Sequence, residues 1–317
     1  MKKDDRRWYW VYTGEEFVFT EGYAHFATAR FIHRWDCPDE LPMHRHGFTE
    51  IVIVMNGSAR HIINTGTGEC YSGMVNRGDV LIIAPHEEHT YELPQGMEFE
   101  IINLDFSTEF SDKILKNEAA EVRTLDFIYQ QPMLPPQIRF GNGFQLPESE
   151  LAYIAAQEEL IEREFREKSI GYLMMSEHLM AEILLIISRR YLKFIDASSQ
   201  TLNIKDMSHV TRVRGYIEHH YADVIHKAEL ARIGKCSERH LSRTFKEYTG
   251  MTVTGYINFV RLNRARDLLA GTKERITDIS TAVGFNDISY FNKTFLSATG
   301  MTPREYRKEF VVRKQGY

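Results

Sequence analysis

Between residues 17 and 106 the hydrophobic positions come in short runs, either alternating or continuous. The clearest are EIVIVMNG (50–57), ARHIIN (59–64), GDVLIIAP (78–85) and FEIINLDF (99–106). Turn signals separate them: Asn56-Gly57, Thr65 to Gly68, Arg77-Gly78-Asp79 and Gln95-Gly96. Many short strands with regular punctuation predict an all-β sandwich or barrel. Residues 130–147 are rich in Pro and Gly and read as an irregular connection. From Glu148 the period changes from 2 to 3.6. Leu151, Ile154, Ile161 and Phe165 form one apolar stripe; Tyr172, Met175, Leu179, Ile183 and Ile186 form a second after a break at 169–171. Two helices with a short connection predict an antiparallel hairpin. Its stripes bury against the barrel, each other or a second subunit. The polar stretch Asp196 to Thr201 reads as the start of a hinge spanning residues 196–206.

The 317 residues are 43% hydrophobic and 26% charged, which excludes a collagen, a coiled-coil rod or a disordered tail. The length suits two domains. The expected organisation is α+β: a β domain over 1–145, a helical hairpin and linker over 146–200, and an all-α domain over 201–317. Cys37, Cys70 and Cys236 contain no CxxC pair and form no even framework, as expected in a reducing compartment. The start lacks the apolar core of a secretory signal, and Ile183 to Ile187 is the longest greasy run. A soluble cytoplasmic protein is the expectation. Charge is segregated: residues 201–317 hold 20 Lys+Arg against 12 Asp+Glu, a balance of +8, whereas the preceding 200 residues hold 19 against 32, a balance of −13. A polyanion partner is therefore expected for the C-terminal third alone.

That third contains a repeat. RTFKEYTGMT (243–252) aligns with KTFLSATGMT (293–302) at an offset of 50, and ELARIGKC (229–236) matches DISTAVGF (278–285) in pattern at an offset of 49. Two short helices, a tight turn and a duplication indicate paired helix-turn-helix units. In the first unit Ser237 is placed to cap the second helix, Leu241 and Phe245 lie four apart on one face, and Gly250 terminates it. That leaves Arg239, Ser242, Arg243 and Lys246 on the outward face. In the second, Asn286 or Asp287 caps, Phe291 and Phe295 face inward, Gly300 stops the helix, and Ser289, Asn292 and Lys293 face outward. Arg, Ser and Asn suit base edges in a major groove, and Lys suits phosphates. Tyr256, Ile257, Val260, Ala265 and Leu268 recur at helical spacing between the units. One helix there would hold the two reading helices at the spacing of adjacent major-groove segments, ~34 Å.

Residues 207–310 resemble the AraC/XylS-type DNA-binding domain, and ITDISTAVGFNDISYFNKTFLSATGMTPREYR (276–307) is similar to that family's signature along its whole length. The resemblance implies a transcription regulator that binds double-stranded promoter DNA, dimerises through the hairpin, and contacts RNA polymerase if it activates. The first unit departs from the pattern at Lys235, which stands where glycine is usual.

The β region carries HRHGFTEIVIVMNG (44–57), a His-x-His-x3-Glu-x6-Gly pattern, and GDVLIIAPHEEH (78–89). On a continuous strand His44, His46 and Glu50 share a face, and His89 follows the second motif. This resembles the cupin pattern and the AraC-type sensor domain, although Glu87 occupies a usual glycine position. Three readings of His44, His46, Glu50 and His89 stay open: hydrogen bonds to a small-molecule effector, often a sugar; ligation of a divalent metal; or mutual satisfaction within the barrel mouth. The expected function is ligand-responsive regulation of carbohydrate-related genes, with no catalytic residues. A metal-dependent cupin enzyme with an appended DNA-binding domain is the alternative.

Overall fold

The computed structural model describes residues 10–12, 16–19, 26–34, 43–64, 70–85, 87–107, 110, 128, 144–197 and 204–314. Two short strands, β1 (Trp10–Tyr12) and β2 (Glu16–Phe19), come first. Beyond them the chain divides into two compact units at Ile204/Lys205. The expected connection at 130–143 and hinge residues 198–203 lie outside the described residues.

The first unit is built on two antiparallel sheets. β3 (Phe26–Arg34), β10 (Glu98–Phe106), β5 (Thr49–Asn56) and β8 (Val80–Ile83) lie side by side in that order, and β7 (Cys70–Asn76), β6 (Ser58–Asn64) and β9 (Glu88–Glu92) form the other sheet. One core is shared between them: Val52, Val54, Leu81, Ile83, Phe99 and Ile101 from the first sheet meet Ala59, Ile63, Val75 and Tyr91 from the second. β5 and β8 are buried on both faces, which explains their continuous apolar runs. β6 alternates, burying Ala59, His61 and Ile63. The chain passes from β5 to β6 at Gly57, whose φ is +75° and where a Cβ would lie 2.0 Å from the Glu98 carbonyl oxygen. Only glycine fits that crossing.

The expected hairpin is α1 (Glu148–Glu167) and α2 (Tyr172–Ala197). Arg190 clamps Glu150 across it with two hydrogen bonds, 2.5 and 3.1 Å. α1 buries Leu151, Ile154 and Ile161 as its stripe predicts, with Phe165 half-buried. The stripe expected on α2 is displaced. Its buried face is Ser176, Met180, Ile183, Leu184, Ile187 and Tyr191, and Met175 is 52% exposed. α2 is apolar nearly all round at its centre, so more than one stripe satisfies the 3.6-residue period.

The second unit opens with α3 (Ile204–His220). Two helix pairs follow, α4 (Lys227–Gly234) with α5 (Glu238–Thr249), and α7 (Ile276–Ala282) with α8 (Ile288–Thr299). α6 (Val253–Gly271) joins them and α9 (Pro303–Lys314) closes the chain. α6 uses more than the single face expected: Val253, Tyr256, Leu262, Ala265 and Leu269 are buried, while Ile257, Val260 and Leu268 are half-buried. A helix that serves two units has core on more than one side.

The repeated Thr-Gly-Met-Thr has a hydrogen-bonding reason. Thr249 Oγ1 donates to the Phe245 carbonyl and accepts from Met251 N–H; Thr299 does the same with Phe295 and Met301. Gly250 and Gly300 take left-handed conformations, φ 70° and 72°, and their N–H groups bond back to Lys246 and Leu296. Thr252 and Thr302 then accept from the third residue onward, starting α6 and α9. Four residues thus end one helix and begin the next in both copies.

The turns inside the two units are not equivalent. Lys235 occupies φ 54°, ψ 42°, whereas its counterpart Gly284 has φ 91° and a Cβ there would lie 2.8 Å from the Ala222 carbonyl oxygen. The Lys235 strain is roughly 1–2 kcal/mol of backbone sterics. Lys235→Gly should therefore change unfolding free energy by less than about 1 kcal/mol, because relief of strain offsets the added freedom of the unfolded chain. Gly284→Lys should cost more than about 2 kcal/mol, since it meets both the left-handed penalty and a backbone clash. Chemical denaturation of both variants distinguishes the turns; equal losses would contradict this account.

In the first unit Glu158 on α1 is 1% exposed, with Arg30 of β3 at 4.0 Å. Burial first, then the neighbouring Glu162, pushes its carboxyl up to about 7 against an ordinary 4.5. The folded chain therefore holds a proton that the unfolded chain releases, and stability falls as pH rises from about 4.5 through 7. Glu158→Gln should flatten that decline and stabilise the chain at pH 8 by on the order of 1 kcal/mol, measured as unfolding midpoints between pH 5 and 8.

Candidate DNA-reading helices and a buried histidine–glutamate cluster

In α5, Ser237 Oγ accepts from His240 N–H at 3.2 Å, and Leu241 and Phe245 are 2% and 0% exposed. Burying that face turns Arg239, Ser242, Arg243 and Lys246 outward, and all four are exposed. Ser242 Oγ donates to the Glu238 carbonyl at 2.8 Å, leaving its lone pairs outward. Arg243 lies 3.3 Å from Glu247 and 3.3 Å from His240 Nδ1. With its partners 62% and 60% exposed, that ion pair is weak and readily exchanged.

In α8, the cap is Asp287, which accepts from Tyr290 N–H at 2.6 Å; Asn286 is not the cap. Phe291 and Phe295 are fully buried in a core shared with Leu262, Leu269, Ile279, Phe285 and Tyr306. Ser289, Asn292 and Lys293 are exposed, as expected. The sequence reading did not include Ile288 and Tyr290, exposed by 38% and 51% on the same helix. Tyr290 Oη accepts from Asn258 Nδ2 of α6 at 2.9 Å, which fixes the ring beside the outward polar residues. An aromatic that breaks the inward Phe291/Phe295 spacing was the available signal.

In the β unit all four nominated residues are buried together: His44 5%, His46 1%, Glu50 5% and His89 1% exposed. The expected continuous strand is corrected. β4 (Arg45–His46) and β5 are separated by bends at Gly47 and Phe48, and His44 sits in an isolated bridge with His89. That bridge is a pair of backbone bonds, His44 N to His89 O at 3.1 Å and His89 N to His44 O at 2.8 Å. It draws the two motifs together.

Three of the four bring donor atoms to one point. Glu50 Oε2 lies 3.5 Å from His46 Nε2 and 3.4 Å from His89 Nε2, and the three atoms are all within 4.8 Å of one another. His44 is not in that set; its ring packs 4.3 Å from the His89 ring. Each converging residue is held from behind. His46 Nδ1 is 2.8 Å from the Phe48 carbonyl, Asn103 Nδ2 donates to Glu50 Oε1 at 2.5 Å, and His61 Nε2 is 3.3 Å from His89 Nδ1. His61 and Asn103 were not anticipated. The legible hints were a histidine at the inward register of β6, between Ala59 and Ile63, and an asparagine inside the apolar run of β10. Aromatic faces border the group: Phe48 stacks on His46 at 4.4 Å and Tyr91 on His61 at 4.7 Å.

A second His/Asp group, Asp206, His209 and His240, joins α3 to α5. His240 Nε2 bonds Asp206 Oδ1 at 2.9 Å, and Arg212 donates to His209 Nδ1 at 2.8 Å. Burial, and then the Arg212 charge, push His209 below its ordinary range. A guanidinium in that position opposes a cation, so this group reads as a helix-to-helix link. Among the described residues no helix is long and apolar enough to cross a membrane.

A family model described as an AraC-like ligand binding domain matches residues 29–160, and one described as a helix-turn-helix domain matches residues 230–309. The HTH-type transcriptional activator RhaR of Yersinia pestis is 26% identical over 268 residues, covering 84% of this chain and 85% of the relative. RhaS of Escherichia coli, also an HTH-type transcriptional activator, is 26% identical over 272 residues, 85% of this chain and 88% of its own. Among solved structures, an AraC-type DNA-binding-domain regulator from Chromobacterium violaceum is 31% identical over 36% of this chain and all of its own, with a TM-score of 0.33. With a ligand-binding model over the β unit and a helix-turn-helix model over the basic repeat, this chain belongs to the AraC-type family of ligand-responsive, DNA-binding transcription regulators.

Proposed function

We propose that the chain is a carbohydrate-responsive transcriptional activator, with α5 and α8 reading neighbouring major-groove segments of promoter DNA. The observation that carries this is the duplicated cap and stop, which bury Phe245 and Phe295 and leave Arg239, Ser242, Arg243, Lys246, Ser289, Asn292 and Lys293 exposed. Arginine and asparagine offer paired donors and acceptors to base edges, and lysine neutralises phosphate. The effector would occupy the interior of the β unit near His46, His61, Glu50, His89 and Asn103. Imidazole, carboxylate and amide groups beside aromatic faces match a polyhydroxylated ligand. Activation, supported by the names of the relatives, implies contact with RNA polymerase. The hairpin is the proposed dimer contact, where Leu173, Met174 and Met175 of α2 and Leu160 of α1 are exposed. Effector binding would then bias the disposition of the DNA-binding units by population shift.

Two measurements test the DNA-binding assignment. Affinity of the full chain for its operator should fall steeply with rising salt as counterions leave the duplex, and a flat salt response would refute it. Arg243→Ala should weaken operator binding by ~1–3 kcal/mol while leaving binding to unrelated duplexes nearly unchanged. Equal losses on both would assign Arg243 to phosphate. For the effector, a thermal-shift panel of sugars should raise the unfolding midpoint of the chain, because a ligand that binds only the folded state stabilises it.

A further inference from the structure

We infer that His46, Glu50 and His89 form a binding site for one borderline divalent transition ion, of the Zn²⁺ or Co²⁺ class, inside the effector-sensing unit. The inference deepens the reading of this interior as the effector site and rests on it. Four observations converge. The first is charge. Glu50 is 5% exposed, its Oε1 is taken by Asn103, and its Oε2 faces two imidazoles with no hydrogen-bond partner of its own. A buried carboxylate needs a compensating positive charge.

The second is the direction of the lone pairs. His46 Nδ1 lies 2.8 Å from the Phe48 carbonyl, an acceptor, so Nδ1 carries the proton and donates. In the neutral ring that leaves Nε2 as a lone pair aimed at the carboxylate oxygen, and Nε2 also has no hydrogen-bond partner. Two acceptors facing each other are reconciled only by a proton or a metal between them.

The third observation is distance, and it decides between those two. A charge-assisted bond from an imidazolium to a carboxylate closes to ~2.7–2.9 Å. Glu50 Oε2 instead stands 3.5 Å from His46 Nε2 and 3.4 Å from His89 Nε2 at once. Donors at about 2.0–2.1 Å from a tetrahedral ion are separated by about 3.3–3.4 Å, the edge of that tetrahedron. The fourth is support. Phe48, Asn103 and His61 hold the far side of each donor, an outer shell that orients ligands and sets their tautomers. Two nitrogens and one oxygen suit borderline ions better than thiophilic or purely oxygen-loving ones. Three protein donors leave one position for an exchangeable ligand, the place where oxygen atoms of an effector would enter.

The test uses full-length chain purified without an affinity tag and stripped of metal by a chelator. Titration with Co²⁺ should saturate at one ion per chain with visible absorption bands, and Zn²⁺ should displace it. Azide should shift those bands by entering the exchangeable position; an unchanged spectrum would overturn that position. Glu50→Gln should abolish saturation, and His61→Ala, which removes support but no donor, should weaken affinity ~10–100-fold. The second variant keeps the test decisive if the first does not fold. Asp206→Asn, in the other His/Asp group, should leave stoichiometry unchanged. The inference is overturned if the wild-type chain takes up no stoichiometric ion, or if uptake survives Glu50→Gln and is lost in Asp206→Asn. Salt-steep operator binding, measured on the same preparation, stands or falls separately from the metal.

Discussion

A helix that buries residues four apart has no freedom about what it shows on its other side. α5 and α8 are each twelve residues long, too short to be stable alone. They exist because Leu241, Phe245, Phe291 and Phe295 are withdrawn from water, each fully buried aromatic contributing about 1.5–3 kcal/mol. Caps and stops then fix where each helix begins and ends, and therefore its rotation. Ser237 and Gly250, or Asp287 and Gly300, leave no register in which the phenylalanines are buried and the arginine, serine, asparagine and lysine side chains are not outward. The proposed DNA-binding face is a consequence of the core rather than a separate design.

The same logic explains which parts of the structure were legible in the sequence. Where a local rule and a global need agree, as in the Thr-Gly-Met-Thr repeats or the Asn56-Gly57 crossing, the residues announce their conformation. Lys235 announced a conflict, and the left-handed backbone there is the physical form of it. The misplaced stripe on α2 has a different cause. Its central segment is so uniformly apolar that periodicity does not choose a face, and the choice is made by what packs against it.

The histidine cluster was legible in part for a similar reason. His44, His46, Glu50 and His89 were visible as motifs because spacing within a strand carries information about faces. His61 and Asn103 were hinted at only by residue type, because their relation to Glu50 and His89 arises from pairing between strands. β6 sets Ile63 opposite His89 and His61 opposite Tyr91, while β10 sets Asp105 opposite Glu50. Register between strands is fixed by the whole fold, and no one-dimensional pattern contains it. His44 shows the converse. Its residue type and spacing fit a ligand, but its backbone is bridged to His89 and its ring is not among the converging donors.

Charge is segregated along the chain in step with its two units. The balance changes sign between the first 200 residues and the remainder, from −13 to +8, close to where the chain divides into its two units at Ile204/Lys205. Each unit is thereby suited to one partner and unsuited to the other's. Negative charge on the first unit works against its own adsorption to a phosphate backbone, so the electrostatic term for DNA resides in the unit that carries the proposed reading helices. Inside that acidic unit, the converging donors of His46, Glu50 and His89 hold one carboxylate out of water. A ligand entering the proposed site would replace solvation that the buried carboxylate lacks. A sensor requires that property: an interior that answers to a specific ligand, in a unit whose surface gives DNA no reason to bind it.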